Sequence, residues 1–111
     1  MIYIASPYTH KNKKVMQQRY EAVCKFCYLA TKNNYQVLSP IVHWHPIAVK
    51  YGLPRDADFW RRWNSRVLRA STTLWALTIE GYKESIGLNR EIAIAKALSI
   101  YWCYMNPNTF D

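Results

Sequence analysis

The segment between residues 81 and 91 holds the side chains best suited to chemistry. Ser85 and Gly87 come just before a stretch with helical character, and a helix N-terminus offers free backbone N–H groups that bind anions. Together with the Ser85 hydroxyl, these groups could hold a phosphate. Glu91 lies one turn beyond Gly87 and is the only carboxylate of the predicted helix. It either points into the same crevice or lies on the surface near the helix dipole, and the spacing favours neither position.

Two histidines, His43 and His45, lie two residues apart in a segment whose apolar residues show no sustained helical or strand periodicity. We interpret residues 41–55 as a loop with at most one helical turn, in which both histidines would point the same way. Three roles stay open: contact with a base or phosphate, packing with Trp44, or a metal site completed by His10. We expect the first role, and we expect neither a metal nor another cofactor.

The cysteines offer a weaker signal. Cys24 and Cys27 form a CxxC pair, but the pair falls inside a helical pattern with no Cys or His nearby at zinc-ligand spacing. We therefore interpret both as small buried side chains.

The balance of charge is strongly basic, with 15 Lys and Arg against 7 Asp and Glu, a formal net charge of +8. Such a field attracts phosphate, whether in a nucleotide, in nucleic acid or on a membrane surface. Much of the positive charge falls in two helical stretches, where a solvated face is the simplest explanation. Nucleic-acid binding is therefore possible but not favoured.

The elements that would position these residues alternate between strand and helix. Apolar and β-branched runs predict four strands, at Ile2–Ala5, Tyr35–Pro40, Thr72–Thr78 and Ile100–Tyr104. Helical spacing predicts three helices, at Lys13–Lys32, from a cap at Asp58 to about Arg69, and at Asn89–Leu98.

This alternation predicts an α/β fold: a small doubly wound, flavodoxin/Rossmann-like three-layer sandwich with a mainly parallel sheet of four or five strands. With 111 residues, half of them hydrophobic, the chain suits one domain over residues 1–111 and is too apolar for a disordered segment. In such sheets ligands bind beyond the carboxyl ends of the strands. The loop after the first strand, with Ser6, Pro7 and Tyr8, is therefore a candidate binding segment.

We expect a cytoplasmic protein without a membrane anchor. The uncharged stretch Ala97–Phe110 is too short to span a bilayer. The first seven residues lack the positively charged region of a signal peptide.

Several of these motifs together resemble the nucleoside 2-deoxyribosyltransferase superfamily, and within it small phage and bacterial members of unassigned function. The resemblance runs from Ile2 to about Tyr101 and includes the opening Tyr-x-Ala-Ser-Pro strand and the Ser-Pro-Ile-x-His-x-His segment that begins at Ser39. Its most specific part extends from Gly81-Tyr82 through Ser85 and Gly87 to Glu91.

The resemblance implies cleavage of the N-glycosidic bond of a (deoxy)nucleoside or its 5′-monophosphate. Glu91 would attack C1′, and Tyr3, with Tyr8 as a nearby substitute, would orient it. Family members that hydrolyse nucleotides carry a Ser where the nucleoside transferases carry an acid, so Ser85 implies a 5′-phosphate ligand. The other substrate-binding residues that we expect are Ser6, Pro7, Tyr8, His43, His45, Asn64, Gly81 and Gly87.

The chain departs from the family where Ser71 and Asn64 stand in place of two acids. Leaving-group protonation would then fall to His43, His45 or Asp58. The main alternative to an N-glycosidase is therefore a non-catalytic protein that binds a nucleotide or a nucleotide-derived signal in the same crevice. A third class, a basic adaptor for nucleic acid, would use the face from Arg55 to Arg69.

We also expect a homodimer or a higher even oligomer. The tryptophans at positions 44, 60, 63 and 75 represent more large apolar surface than one small core readily covers. The family that the chain resembles also completes its sites across subunits.

Overall fold

The computed structural model describes all 111 residues. Four strands alternate with four helices, in the order β1 (Ile2–Ala5), α1 (Lys13–Lys32), β2 (Val37–Leu38), α2 (Pro40–Tyr51), α3 (Ala57–Arg69), β3 (Thr73–Leu77), α4 (Ile86–Ala97) and β4 (Tyr101–Met105). The predicted bounds of α1 are confirmed, because the stretch has no Gly or Pro and Asn12 caps it by accepting from the Lys14 N–H.

The four strands form one parallel sheet in the order β2-β1-β3-β4. From β1 the chain crosses outward to β2, whereas from β3 it crosses outward in the other direction to β4. The order therefore reverses between β1 and β3, and a crevice forms beyond their carboxyl ends. The predicted doubly wound α/β sandwich is confirmed.

Each face of the sheet is covered by different helices because strand side chains alternate. We call the side packed on α1 the α1 face; its buried members are Ile4, Val23, Phe26, Ala30, Trp75, Leu77 and Ile79. We call the other side the α4 face; its buried members are Tyr3, Ala5, Leu68, Leu74, Ala76, Leu88, Ile92 and Ala95. One face is thus wholly apolar, and the other includes a tyrosine.

The interpretation of residues 41–55 as a loop is wrong, since most of them form α2. Ser39 caps this helix by accepting from the Val42 N–H, and Gly52 ends it with a left-handed φ of 76°. Ile41, Trp44 and Ala48 recur at helical spacing and pack against α1. This packing outweighs the missing backbone donor at Pro46, the residue that most suggested a loop.

Other boundaries shift by a few residues. Asp56, not Asp58, caps α3, and α4 begins at Ile86 rather than Asn89. The second strand is shorter than predicted and covers only Val37–Leu38.

None of the helices combines the length and apolarity needed to cross a bilayer.

The tryptophans find partners within the chain. Trp44 stacks on Trp60 with ring centroids 4.5 Å apart, and Trp63 stacks on His43. Trp75 is buried in the α1 face. Uncovered tryptophan surface is therefore not a reason to expect an oligomer.

Candidate functional site

A cavity of about 320 Å³ opens at the crevice where the strand order reverses. The loop after β1 forms its floor with Ser6 and Tyr8, and the start of α2 forms an aromatic wall with Trp44. Helix α3, with Trp60 and Asn64, and the N-terminal half of α4 complete the lining. Four separate parts of the chain therefore converge on one concave site.

Glu91 lines the cavity and is hydrogen-bonded to Tyr3, which lies behind it in the core. Tyr3 lies on β1, has 0% exposed surface, and its hydroxyl donates to the Glu91 carboxylate across 88 residues of sequence. Leu88, Ile92 and Ala95 anchor α4 on the sheet, so Glu91 is held at the edge of that packed surface and lines the cavity. A phenol thus fixes one carboxylate oxygen at the end of β1.

Burial dominates the electrostatics of this pair. Desolvation raises the pKa of Glu91 to about 8, and the hydrogen bond from Tyr3 opposes only part of that rise. The pKa of Tyr3 is also raised, first by burial and then by the charge of Glu91. Tyr3 is therefore a permanent donor, and Glu91 is largely protonated at neutral pH.

The N-terminus of α4 forms a second part of the cavity. Ser85 is the N-cap: its Oγ accepts from the Leu88 N–H at 3.1 Å, which leaves the hydroxyl proton to donate elsewhere. Gly87 lines the cavity in the first turn, and a Cβ there would meet only the Cβ of Ala57 at 3.6 Å. The amides of this turn carry the partial positive charge of a helix start.

The charge around the cavity differs from that of the whole chain. Asp56, Asp58, Glu84 and Glu91, four of the seven acids, line it, against two of the fifteen bases, Arg55 and Arg90. Arg90 is held by Asp58 at 2.8 Å, an ion pair that joins α4 to α3. The net charge of +8 therefore does not describe the surroundings of a ligand in this cavity.

Three buried side-chain atoms have no hydrogen-bond partner: Ser6 Oγ, Trp44 Nε1 and Asn64 Oδ1. All three belong to residues that line this cavity. Buried polar groups normally have a partner, so unpaired ones require an explanation. The three residues therefore mark the polar part of the cavity surroundings, although the unpaired atoms themselves are buried.

The two histidines do not act together, and the expectation that they point the same way is wrong. Residues two apart on a helix point to different sides. His43 stacks on Trp63 at 5.0 Å, outside the cavity. His45 is buried behind the cavity wall, where Tyr8 O–H donates to its Nδ1 at 2.5 Å and Gln17 Oε1 lies 2.9 Å from its Nε2. Burial, and then nearby Arg55, lowers the pKa of His45.

Gly81 and Pro7 also lie outside the cavity lining. Gly81 has a φ of 94°, and a Cβ there would come within 2.2 Å of the Arg19 guanidinium. Arg19 Nη1 in turn donates to the carbonyls of Tyr8 and Thr9, at 3.3 and 3.1 Å. Gly81 thus makes room for an arginine that holds the loop after β1, rather than contacting a ligand.

The two positions that replace acids have different surroundings. Asn64 lines the cavity, whereas the Ser71 hydroxyl donates to the Val67 carbonyl at 2.9 Å, just before β3.

His10 accepts from the Asn12 N–H. No group of three His, Cys, Asp or Glu side chains lies close enough together to hold a metal ion.

Trp44, Trp60, Arg55 and Arg90 line the cavity and were not among the expected site residues. The spacing of Ile41, Trp44 and Ala48 is the one sequence signal that could have placed Trp44 on a packed helix face.

The fold and the cavity define a doubly wound α/β protein with a cavity at its topological switch point. A family model described as a domain of unknown function (DUF1937) matches residues 1–104, and the chain belongs to that family. No curated protein matches the chain.

Proposed function

We propose that this protein is a nucleotide N-glycosidase or a deoxyribosyltransferase-like enzyme that acts on a (deoxy)nucleoside 5′-monophosphate. The observation that carries the proposal is the hydrogen bond by which buried Tyr3 holds Glu91, the carboxylate that lines the switch-point cavity. A carboxylate with one oxygen fixed by a phenol presents the other to an electrophile. C1′ of a nucleoside becomes such an electrophile as the base departs.

The high pKa of Glu91 suits this role. An ionised carboxylate in this enclosure is poorly solvated and so is a reactive nucleophile, and attack on C1′ converts it to a neutral ester. Glu91 first loses its proton to solvent, the bond from C1′ to the base nitrogen then breaks as the carboxylate attacks, and the base leaves with the electron pair and takes up a proton from solvent. Tyr3 keeps its proton throughout and orients Glu91.

The α4 N-terminus supports a 5′-phosphate. The Ser85 hydroxyl proton and the first-turn amides are hydrogen-bond donors, and Arg90 lies one turn further on. Because Arg90 is already paired with Asp58, the N-terminus of α4 would supply most of the hydrogen bonds to a phosphate.

A second candidate function is binding without catalysis. The observation that favours it is that Ser71 and Asn64 stand where the family that the chain resembles has two acids. The Ser71 hydroxyl donates to its own helix, and Asn64 lines the cavity. His43 and His45 are excluded as direct proton donors because neither lines the cavity. In a binding protein, Glu91 would instead accept from a sugar hydroxyl.

The experiment is a panel of deoxynucleoside 5′-monophosphates and their parent nucleosides incubated with the protein, with free base measured by chromatography. Release of base supports the glycosidase. Tight binding by calorimetry without release supports the binding protein, and neither binding nor release contradicts both.

A further inference from the structure

The side of helix α3 that turns away from the cavity carries three arginines, Arg62, Arg66 and Arg69. Their spacing of four and three residues places them in one row along the helix, over a rise of about 10 Å. All three are exposed, and none pairs with an acid. Trp60 and Asn64, which line the cavity, lie on the opposite side of the same helix. We call the three arginines the α3 arginine row.

The α3 arginine row lacks the acids that usually accompany exposed bases on a helix. Helix α3 contains one acid, Asp58, which is paired with Arg90 of α4. Like charges four residues apart, such as Arg62 and Arg66, repel each other and destabilise a helix. The helix dipole favours bases in the last turn, which accounts for the other two members of the row but not for Arg62. The row therefore carries positive charge that folding does not require.

Two kinds of large anionic surface could neutralise this row, a membrane and a nucleic acid. Phe59 extends the row by one turn and is 49% exposed, but one ring offers little apolar area to a bilayer. The apolar side of α3 is already packed, since Leu68 is buried and Trp60 stacks on Trp44. Arginine, in contrast, binds phosphate through two parallel hydrogen bonds and keeps its charge. The exposed chemistry of the row therefore favours the phosphates of a nucleic acid.

We propose that the α3 arginine row binds the phosphate backbone of a nucleic-acid duplex without reading its sequence. Arginines that contact phosphates release the counterions condensed on the duplex, and this release drives binding. The row is also a place where the net charge of +8 can act, which the acid-lined cavity is not. The inference goes beyond the proposed function and does not rest on it, because no member of the row lines the cavity.

The test compares two triple variants that lose the same net charge. One carries glutamine at all three positions of the α3 arginine row. The other carries glutamine at Lys13, Lys14 and Lys32, three exposed bases of α1 on the opposite face of the sheet. Fluorescence anisotropy measures the association constant for a labelled DNA duplex of about 20 base pairs, at several salt concentrations between about 50 and 200 mM.

The expected result is a change in salt dependence that only the row produces. Each lost phosphate contact removes about one released counterion, so the slope of log association constant against log salt should become shallower by about 3 in the arginine variant. In the lysine variant it should change by less than about 1. Arg62→Gln alone should reduce the slope by about 1, and it tests the proposal without the last turn of α3 being altered. Circular dichroism checks that each variant keeps its helices.

The proposal is overturned if the wild-type protein does not bind the duplex, or if the two triple variants change the slope equally. It is also overturned if Arg62→Gln and the arginine variant keep the wild-type slope. Binding to vesicles rich in anionic lipid, without binding to the duplex, would assign the row to a membrane and would likewise overturn it.

Base release from deoxynucleoside monophosphates, followed for the same proteins, keeps this inference separate from the proposed function. The arginine variant should release base at the wild-type rate, since the row lies outside the cavity. Duplex binding that depends on the row, in a protein that releases no base, supports the row and contradicts the glycosidase. Base release from a protein that does not bind the duplex supports the glycosidase and overturns the row.

Discussion

The two faces of the sheet are built from the same strands but bury different chemistry. On the α1 face, Phe26, Trp75 and Leu77 pack with no ionisable side chain among the buried members. On the α4 face, Tyr3 lies in an equally apolar cluster and donates to a carboxylate at its edge. Burying a carboxylate opposes folding, whereas burying a phenylalanine favours it. The contrast teaches that the α1 face is built for stability and that the α4 face gives up stability to hold Glu91.

The largest effect that we expect is the loss of activity in Glu91→Gln. The amide can still accept from Tyr3 but cannot attack C1′, so base release should fall by at least ~10³. Chromatographic assay of free base gives the rate. Glu84→Gln is the matched control, since Glu84 lines the same cavity but is exposed, and its rate should stay within a few-fold of wild type. Equal rates for Glu91→Gln and wild type would show that Glu91 is not the nucleophile.

Phe26→Ala should have a large effect on stability alone. Phe26 is 1% exposed and packs against Trp75 and Phe110, so its truncation leaves a cavity in the α1 face. We expect a loss of about 3–5 kcal/mol in the free energy of unfolding, measured by urea denaturation. A loss below about 1 kcal/mol would mean that the α1 face is not the main source of stability.

Glu91→Gln should have the opposite effect on stability, and the effect should depend on pH. The pKa of Glu91 is about 8 in the folded protein, against an ordinary value of 4.5. Between these values the folded state retains a proton that the unfolded state has released, so wild-type stability falls as pH rises from about 5 to 8. Glutamine removes this dependence.

We therefore expect the variant to be no more stable than wild type near pH 4 and more stable at pH 8, by on the order of 2 kcal/mol once access of water to the cavity is considered. Thermal denaturation of both proteins across this range measures the difference. A constant difference at all pH values would contradict the raised pKa.

The fold could largely be predicted from the sequence, because α1 and the strands β1 and β3 carry strong periodic or β-branched patterns. Helix α2 was missed because Pro46 and Gly52 indicate a loop locally, whereas the helical spacing of Ile41, Trp44 and Ala48 is short and its packing against α1 is a tertiary effect. For the site, spacing placed Ser85 and Glu91 near one crevice, but it could not show which way Glu91 points. The bond to Tyr3 joins residues 88 apart, and only the fold brings them together. The same holds for His45, whose burial behind Tyr8 no local pattern encodes.

Ser85→Asp tests whether the N-terminus of α4, on the α4 face, binds a phosphate. Aspartate is also a good N-cap, so α4 should remain intact while the new charge repels a phosphate. We expect affinity for a nucleoside monophosphate to fall by about 10-fold and that for the parent nucleoside to change little. Calorimetry on both ligands decides, and equal losses would show that this terminus does not bind phosphate.

The smallest expected effect concerns association. β4 is an edge strand with unpaired backbone groups, and its Tyr101 and Tyr104 are 68% and 51% exposed. We expect a homodimer at micromolar concentration by light scattering, and Tyr101→Lys should shift it toward monomer without affecting the cavity. A monomeric wild type would contradict this expectation.

The most direct test of the central claim is mass spectrometry of the protein after reaction with a slow 2-fluorinated analogue of the preferred deoxynucleoside monophosphate. If Glu91 is a nucleophile on the α4 face, the protein gains the mass of the fluorinated sugar phosphate, and digestion places it on the peptide that contains Glu91. Glu91→Gln gains nothing. An adduct on another residue, or unmodified protein from a wild type that releases base, would contradict the account.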